Sequence, residues 1–99
     1  MNNAAAWYAW YKRVGGRELR ALAMDVWDPI GVSGIPNAQD EYDSYLGLVA
    51  DRLRRGASAR DIAVYLAAIR TEWMGLDANP AADERAALAM AEWYERSKP

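Results

Sequence analysis

The stretch SARDIAVYLAAIRTEW, from Ser58 to Trp73, is the clearest indication of the fold. Ser58 and Asp61 have the serine-x-x-acid spacing of a capping box, in which each side chain accepts a hydrogen bond from the other residue's backbone N–H. Apolar residues then recur every three or four positions along one face, at Ile62, Tyr65, Leu66, Ile69 and Trp73. The stretch predicts a helix that begins after Ser58 and ends at Gly75.

The segments on either side of this stretch carry the same helical signals. The preceding helix is predicted from about Gln39 to Arg55, with Gly56 placed to end it, because apolar residues share a face at Tyr42, Tyr45, Leu46, Val49 and Leu53. Downstream, Asn79-Pro80 combines a good N-cap with proline at the first helical position. The last helix is predicted to reach about Arg96 and to bury Leu88, Ala91 and Tyr94, with help from Ala87 and Met90.

Two shorter helices are predicted in the N-terminal part. Good helix formers and same-face aromatic pairs indicate one from Asn3 to Val14, ended by Gly15-Gly16. An apolar stripe indicates another from about Arg17 to Trp27. Pro29 disfavours helical geometry at the residue before it and ends this helix. The Gly- and Pro-rich residues 29–37 predict an ordered loop that Ile30, Val32 and Ile35 hold on the core.

These helices and the chain length define the expected architecture. No segment shows sustained alternation with a period of two, which a half-buried strand requires. A chain of 99 residues is long enough for one core and too short for two. We therefore predict an all-α fold, a compact bundle of four to five short helices. The domain is expected to span residues 1–99, with an aromatic N-terminal helix at 1–16 and the core bundle at 17–99.

Composition excludes several classes of function. The chain has no cysteine and no histidine, which removes thiol chemistry, the commonest metal ligands and most hydrolase triads. A net charge of -2 argues against general nucleic-acid binding. The N-terminus does not have the pattern of a secretory signal, and no apolar run is long enough to span a bilayer. We expect a cytoplasmic, non-enzymatic protein with no cofactor.

Acidic residues lie beside aromatic residues between Trp27 and Tyr45. No lysine or arginine occurs between the first and last of the acidic residues Asp25, Asp28, Asp40, Glu41, Asp43 and Asp51. One interpretation is structural, because negative charge is favourable in the first turn of a helix. A second is a partner-binding surface, in which the carboxylates meet a basic protein and aromatic rings supply the affinity.

Two chemical interpretations of the same acids are also open. Asp28, Asp40 and Asp43 supply the oxygen ligands that hard cations prefer, although their spacing matches no calcium loop. Asp40 and Asp43 would share a helix face and could act as an acid and base pair. No histidine, phosphate loop or other convergent group supports catalysis, so we do not predict an enzyme.

Two further features have structural and functional interpretations. The basic patch, Arg52, Arg54, Arg55 and Arg60, lies around Gly56, where cations complement the negative end of a helix. Phosphate or RNA contact is the alternative, but no aromatic residue is interleaved in the patch. The aromatic N-terminus, with Trp7, Tyr8, Trp10 and Tyr11, fits a helix packed on the bundle or a dimer contact better than a membrane anchor, since its rings point around much of the helix.

Several motifs together resemble small bacterial helical proteins of unknown function. They are WDPIG at Trp27–Gly31, DEYD at Asp40–Asp43, Tyr65-Leu66, and Met74 to Leu76. The resemblance covers roughly Arg17 to Leu76, and the first two motifs are its specific part. It implies a short helical protein, loosely similar to the immunity partners of bacterial toxins. It implies no catalytic residues, and the aromatic N-terminus departs from it.

The sequence thus leads to two functional hypotheses. The first is a non-catalytic inhibitor, immunity or antitoxin-like, that occludes a basic partner such as a toxin; its predicted contact residues are Trp27, Asp28, Asp40, Glu41, Tyr42, Asp43 and Tyr45. A toxin that acts on nucleic acid must present a basic groove, which an acidic inhibitor complements. The alternative is a regulatory or adaptor domain that binds a partner, or a second copy as a homodimer, through its aromatic N-terminal helix. Neither hypothesis includes direct nucleic-acid or membrane binding.

Overall fold

The computed structural model describes residues 4–31 and 42–99, and these residues are predominantly helical with no strand among them. This confirms the predicted all-α bundle. The α-helices are α1 (Ala4–Trp10), α2 (Gly16–Val26), α3 (Asp43–Arg54), α4 (Ala59–Ala68) and α5 (Pro80–Ser97). The predicted start of the third helix at Gln39, and the loop residues Val32 and Ile35, lie outside the described residues.

The first two helices form one continuous rod, so the prediction that Gly15-Gly16 ends a helix is wrong. A π-helical turn, Tyr11–Gly15, joins α1 to α2, and Gly15 and Gly16 both keep right-handed helical backbone angles. A Cβ on Gly15 would lie 2.7 Å from Cη2 of Trp10. Gly15 therefore serves close packing against the Trp10 indole rather than helix termination.

The helix ends in the middle of the chain follow the predicted signals. Ser58 Oγ accepts a hydrogen bond from the Asp61 N–H at 3.1 Å, and the Asp61 carboxylate accepts one from the Ser58 N–H at 3.0 Å. Gly56, with φ of +93°, follows α3 in a conformation that favours glycine. Asn79 Oδ1 accepts from the Ala82 N–H at 3.2 Å and caps α5, whose first residue is proline. These predictions are confirmed.

A second π-helical turn, Ile69–Trp73, extends α4 and changes which residues it buries. The Met74 N–H donates to the Ile69 carbonyl, a bond that spans five residues instead of four. This wider turn rotates the following residues away from the regular helical stripe. Trp73, predicted to lie on the buried stripe, is 55% exposed as a result. Gly75 then ends the segment with φ of +67°.

The aromatic N-terminus belongs to the core of the bundle. The indoles of Trp7 and Trp10 are buried, and the Trp10 ring stacks on that of Trp93 with 6.0 Å between centroids. The Trp7 indole N–H donates to the Tyr94 hydroxyl at 2.9 Å. In α5 the predicted burial of Ala87, Met90 and Tyr94 is confirmed. Leu88, however, is 54% exposed, and its predicted burial is wrong, because the helix turns it toward solvent.

Candidate partner-binding surface

Trp27, the first residue of the predicted contact set, lies in the core. Its side chain is buried, and its indole N–H donates to Oδ1 of Asp83 at 3.0 Å. The same carboxylate forms a buried ion pair with Arg70, whose Nη2 lies 2.9 Å from Oδ1. A buried charge is tolerated when it is paired and hydrogen-bonded, and both conditions hold for Asp83. The Trp27 ring therefore supports the fold and presents no surface to a partner.

Tyr42 is also interior, at 0% exposure, and holds the turn that follows α2. Its hydroxyl donates to Oδ1 of Asp28 at 2.8 Å and accepts from the Ile30 N–H at 3.0 Å. Asp28 has φ of +34°, an unusual angle for a non-glycine residue. Burial raises the pKa of the Tyr42 hydroxyl and keeps it protonated as a donor. The WDPIG and DEYD motifs thus meet through a structural contact, and Tyr42 is removed from the partner-binding surface.

The acidic residues of α3 are neutralised within the chain. Arg20 Nε donates to Oδ1 of Asp43 at 2.9 Å, although the two residues are far apart in the sequence. Asp51 pairs with Arg55, whose Nε lies 3.0 Å from Oδ2. The absence of basic residues between Asp25 and Asp51 therefore does not leave the charges of Asp43 and Asp51 uncompensated in space. Asp25 is exposed.

The remaining acids of the predicted surface are Asp40 and Glu41, which lie outside the described residues. Of the proposed cation ligands, Asp40 therefore has no described position. Asp28 contacts Tyr42 and Asp43 contacts Arg20, so the two described ligands have different partners. Within residues 4–31 and 42–99, no group of three carboxylates is arranged to hold a metal ion. The proposed acid and base pair of Asp40 and Asp43 likewise has only its second member described.

Helix α3 separates the acidic and aromatic parts of the predicted surface. Successive helical residues are rotated by about 100°, so Asp43 and Asp51 flank one side of α3 and Tyr45 flanks the other. The acidic side faces the rod formed by α1 and α2, and the Tyr8 hydroxyl of α1 donates to Asp51 at 3.3 Å. Tyr45 instead packs against Trp73, with 5.5 Å between ring centroids. The described carboxylates and the Tyr45 ring therefore do not form one surface.

The aromatic side of α3 forms a surface cluster that we name the Trp73 patch. The Tyr65 ring meets Trp73 edge to face at 6.1 Å, and the Arg52 guanidinium lies over the Tyr65 ring at 3.9 Å. Leu48, which is 43% exposed, lies between Tyr45 and Arg52 on the same side of α3. The patch comprises Tyr45, Leu48, Arg52, Tyr65 and Trp73. Tyr45, Tyr65 and Trp73 lie in apolar stripes that predicted burial, and of the five members only Tyr45 belongs to the predicted contact set.

One polar group of the patch has no hydrogen-bond partner among the described residues. Tyr65 is buried, and its hydroxyl oxygen is inaccessible to solvent and unbonded within the described part of the chain. Burial raises the pKa of this hydroxyl, while the nearby charge of Arg52 lowers it. An unpartnered buried polar group costs about 1–3 kcal/mol. The Trp73 patch therefore combines the exposed Trp73 ring with a Tyr65 hydroxyl that is buried and unbonded among the described residues.

The arginines of the basic patch around Gly56 make two kinds of contact, with a carboxylate and with aromatic rings. Arg54 and Arg55 both contact the Asp51 carboxylate, which supports the structural interpretation of these two arginines. Arg54 also lies over the Tyr8 ring at 5.4 Å, and Arg52 lies over Tyr65. Aromatic rings therefore lie against two of these arginines in space, although no aromatic residue is interleaved among them along the sequence.

The N-terminal aromatic surface is smaller than the sequence suggested. Tyr8 is 50% exposed, whereas Trp7 and Trp10 are buried and Tyr11 is half-buried. Burial, assisted by the negative charge of Asp43, raises the pKa of Tyr11 to about 12. Among these four rings, Tyr8 has by far the most surface available to a partner.

A shallow groove of about 490 Å³ lies between α4 and α5. Its apolar lining includes Ala59, Ala63 and Val64, and Arg60 and Glu84 supply charged groups. Asp83 also lines the groove, but its carboxylate is already bonded to Arg70 and Trp27. Among the described residues that line it, the groove therefore has no free buried polar group that would orient a ligand.

No protein-family model, curated protein or solved structure matches this chain. In the part of the chain that the structure describes, no helix has both the length and the apolar character needed to cross a membrane.

Proposed function

We propose that this chain is a non-catalytic protein-binding domain that contacts its partner through the Trp73 patch. The observation that carries this proposal is the 55% exposure of Trp73 on a surface built from helical residues. Tryptophan, tyrosine and arginine are the residues most enriched among those that dominate binding energy at protein interfaces. All three types occur in this patch, next to the exposed Leu48.

The arrangement of the patch favours protein binding for a second reason. Ring contacts join Trp73 to Tyr45 and Tyr65, and Arg52 lies against the Tyr65 ring. Side chains that are already held in place lose less conformational freedom when a partner binds. The net charge of -2 disfavours nucleic acid as the general partner.

A finer proposal is that binding is inhibitory, as in an immunity or antitoxin-like protein that occludes a basic partner. It is supported by the resemblance in the WDPIG and DEYD motifs, and by the two acidic residues Asp40 and Glu41 that precede α3. Asp43 contributes less to this argument because Arg20 pairs with it. Asp28 contributes less because its carboxylate accepts a hydrogen bond from the Tyr42 hydroxyl.

The protein-binding proposal is tested by quantitative affinity capture from the native host. Tagged wild-type protein is compared with Trp73→Ala and with Leu88→Ala, a matched control in which an equally exposed apolar residue of α5 is shortened. We expect specific partners to be lost from the Trp73→Ala sample and retained by the control. Identical partner profiles for all three proteins would overturn the assignment of the patch.

The basic-partner proposal needs a separate variant. Asp40→Lys combined with Glu41→Lys leaves the described ion pairs intact and reverses the remaining acidic charge. Weaker capture of a basic protein, with a smaller dependence on salt, is expected if these acids contact it. Unchanged affinity and salt dependence would reject this charge assignment while leaving the Trp73 patch in place.

The adaptor alternative is tested by a point substitution. Removing residues 1–14 would delete the buried Trp7 and Trp10 and so damage the core. Tyr8→Ala instead changes an exposed ring of the N-terminal helix. Loss of self-association or partner capture in this variant, with normal thermal stability, would favour the alternative over the Trp73 patch.

A further inference from the structure

The charge of Arg52 bears on the chemistry of the partner segment. Arg52 is exposed, and its guanidinium carbon lies 3.9 Å from the centroid of the Tyr65 ring. Within the described ranges, the arginines that make ion pairs are Arg20, Arg54, Arg55 and Arg70, whereas Arg52 makes none. Arg52 therefore presents an arginine charge that the described part of the fold does not neutralise.

The stacking contact leaves Arg52 able to bind. A guanidinium that lies over an aromatic ring uses its face in that contact, and its five N–H donors lie in the plane of the group. These donors match the two oxygens of a carboxylate. Because the ring holds the guanidinium in place, less side-chain freedom is lost on binding.

The side chains around Arg52 indicate that the partner segment also carries an apolar side chain. Trp73 and Leu48 expose large apolar surfaces, and Tyr45 packs against Trp73. The buried hydroxyl of Tyr65 lies close enough to Arg52 and Tyr45 for both to affect its pKa, and it has no partner among the described residues. The patch thus offers a cation beside exposed apolar side chains.

We infer that the partner segment bound by the Trp73 patch carries a carboxylate, which pairs with Arg52, next to an apolar side chain that packs on Trp73. This inference rests on the proposed protein-binding function and specifies its ligand as an acidic-apolar peptide segment. It describes the local contact and is independent of the net charge of the whole partner.

The test is selection of random twelve-residue peptides displayed on phage against the full-length protein. Clones that also bind the Trp73→Ala variant are removed. We expect the remaining clones to be enriched in aspartate or glutamate beside an apolar residue. Enrichment in lysine or arginine, or no charge preference, would overturn the inference while supporting the protein-binding patch. Recovery of no Trp73-dependent clone would overturn both.

A second measurement examines the ion pair directly. The best peptide and its Glu→Gln or Asp→Asn analogue are titrated against wild-type protein and against Arg52→Gln. We expect either change alone to weaken binding about tenfold, and the second change to add little once the first is made. Arg60→Gln, an exposed arginine on the groove side of α4, is the matched control and should retain affinity. Independent losses from the two changes, or an equal loss in the control, would contradict the pairing.

A nucleic acid is the other ligand that an arginine among aromatic rings could bind. A fluorescent single-stranded oligonucleotide is therefore titrated against the same variants. We expect no binding that depends on both Arg52 and Trp73. Binding that is lost in both variants would assign the patch to phosphate and bases and overturn the inference.

Discussion

Replacing Tyr42 with phenylalanine removes one oxygen atom that joins two parts of the chain. The hydroxyl donates to Asp28 at 2.8 Å and accepts from the Ile30 N–H at 3.0 Å, while the ring is fully buried. Phenylalanine retains the ring and its packing. The substitution therefore isolates the two hydrogen bonds that hold the turn after α2 against the start of α3.

The expected cost follows from the character of these bonds. A hydrogen bond to a charged group contributes about 1.5–3 kcal/mol, and a neutral one about 0.5–1.5 kcal/mol. Ile30 is exposed, so water can replace its lost partner and reduce the second contribution. We expect Tyr42→Phe to lower the free energy of unfolding by about 2–3 kcal/mol. For a domain of this size, such a loss lowers the melting temperature by at least about 8 °C.

Chemical denaturation and thermal melts followed by circular dichroism measure this loss. Tyr45→Phe is the matched control, because Tyr45 lies in the first turn of α3, which Tyr42 directly precedes, and its hydroxyl has no hydrogen-bond partner among the described residues. The control should change stability by less than about 0.5 kcal/mol. If the two variants are equally stable, the reasoning that Tyr42 acts through its hydroxyl is refuted.

Three further predictions concern the core and the pH dependence of stability. Gly15→Ala should destabilise the fold by about 1–3 kcal/mol, because the added Cβ would meet the stacked Trp10 indole. Gly47→Ala, with open space around the added Cβ, should stabilise α3 by about 0.5–1 kcal/mol. Urea denaturation should show changes in the free energy of unfolding of opposite sign for the two variants. Asp83→Ala should cost about 3–5 kcal/mol by leaving the Arg70 guanidinium buried and unpaired, and adding Arg70→Met should recover part of that loss in the same assay. Folding raises the pKa of Tyr11 from 10.0 to about 12, so the protonated Tyr11 hydroxyl contributes fully to the free energy of unfolding below pH 10. This contribution is lost as the pH rises toward 12. Alkaline unfolding that is equally steep in Tyr11→Phe would contradict this prediction.

Much of the fold is predictable because its helix ends depend on local chemistry. Two helices begin at local caps, the Ser58 and Asp61 capping box and the Asn79-Pro80 pair, whose side chains bond to nearby backbone N–H groups. Gly56 ends α3 through its own positive φ. Residues three or four positions apart determine such ends, so the sequence pattern contains the required information.

The two π-helical turns could not be predicted from the same rules. A pattern of three and four positions assumes regular α-helix, whereas the turn ending at Gly15 and the turn ending at Trp73 each include a hydrogen bond that spans five residues. At the end of the first turn, the Trp10 ring occupies the space that a Cβ on Gly15 would need. The second moves Trp73 from the buried stripe to the surface. The most exposed aromatic ring of the described chain therefore had no signal in the apolar periodicity.

The candidate site was predicted less well because it depends on contacts between distant residues. Asp43 appeared unpaired because its partner Arg20 is 23 positions away. Tyr42 and Trp27 were expected at a surface because polar tips and aromatic rings suit interfaces, yet their polar atoms bond to Asp28 and Asp83 inside the fold. Buried tyrosine and tryptophan usually find such partners, and only tertiary structure identifies them.

The affinity of a purified partner for three forms of the protein tests the central claim most directly. Isothermal titration calorimetry compares wild type, Trp73→Ala and the Leu88→Ala control, with melting temperatures confirming that all three are folded. We predict that Trp73→Ala weakens binding about thirtyfold or more, as expected for a residue that contributes at least about 2 kcal/mol, and that Leu88→Ala binds within about twofold of wild type. Wild-type affinity in Trp73→Ala, or an equal loss in Leu88→Ala, would contradict the assignment of partner binding to the Trp73 patch.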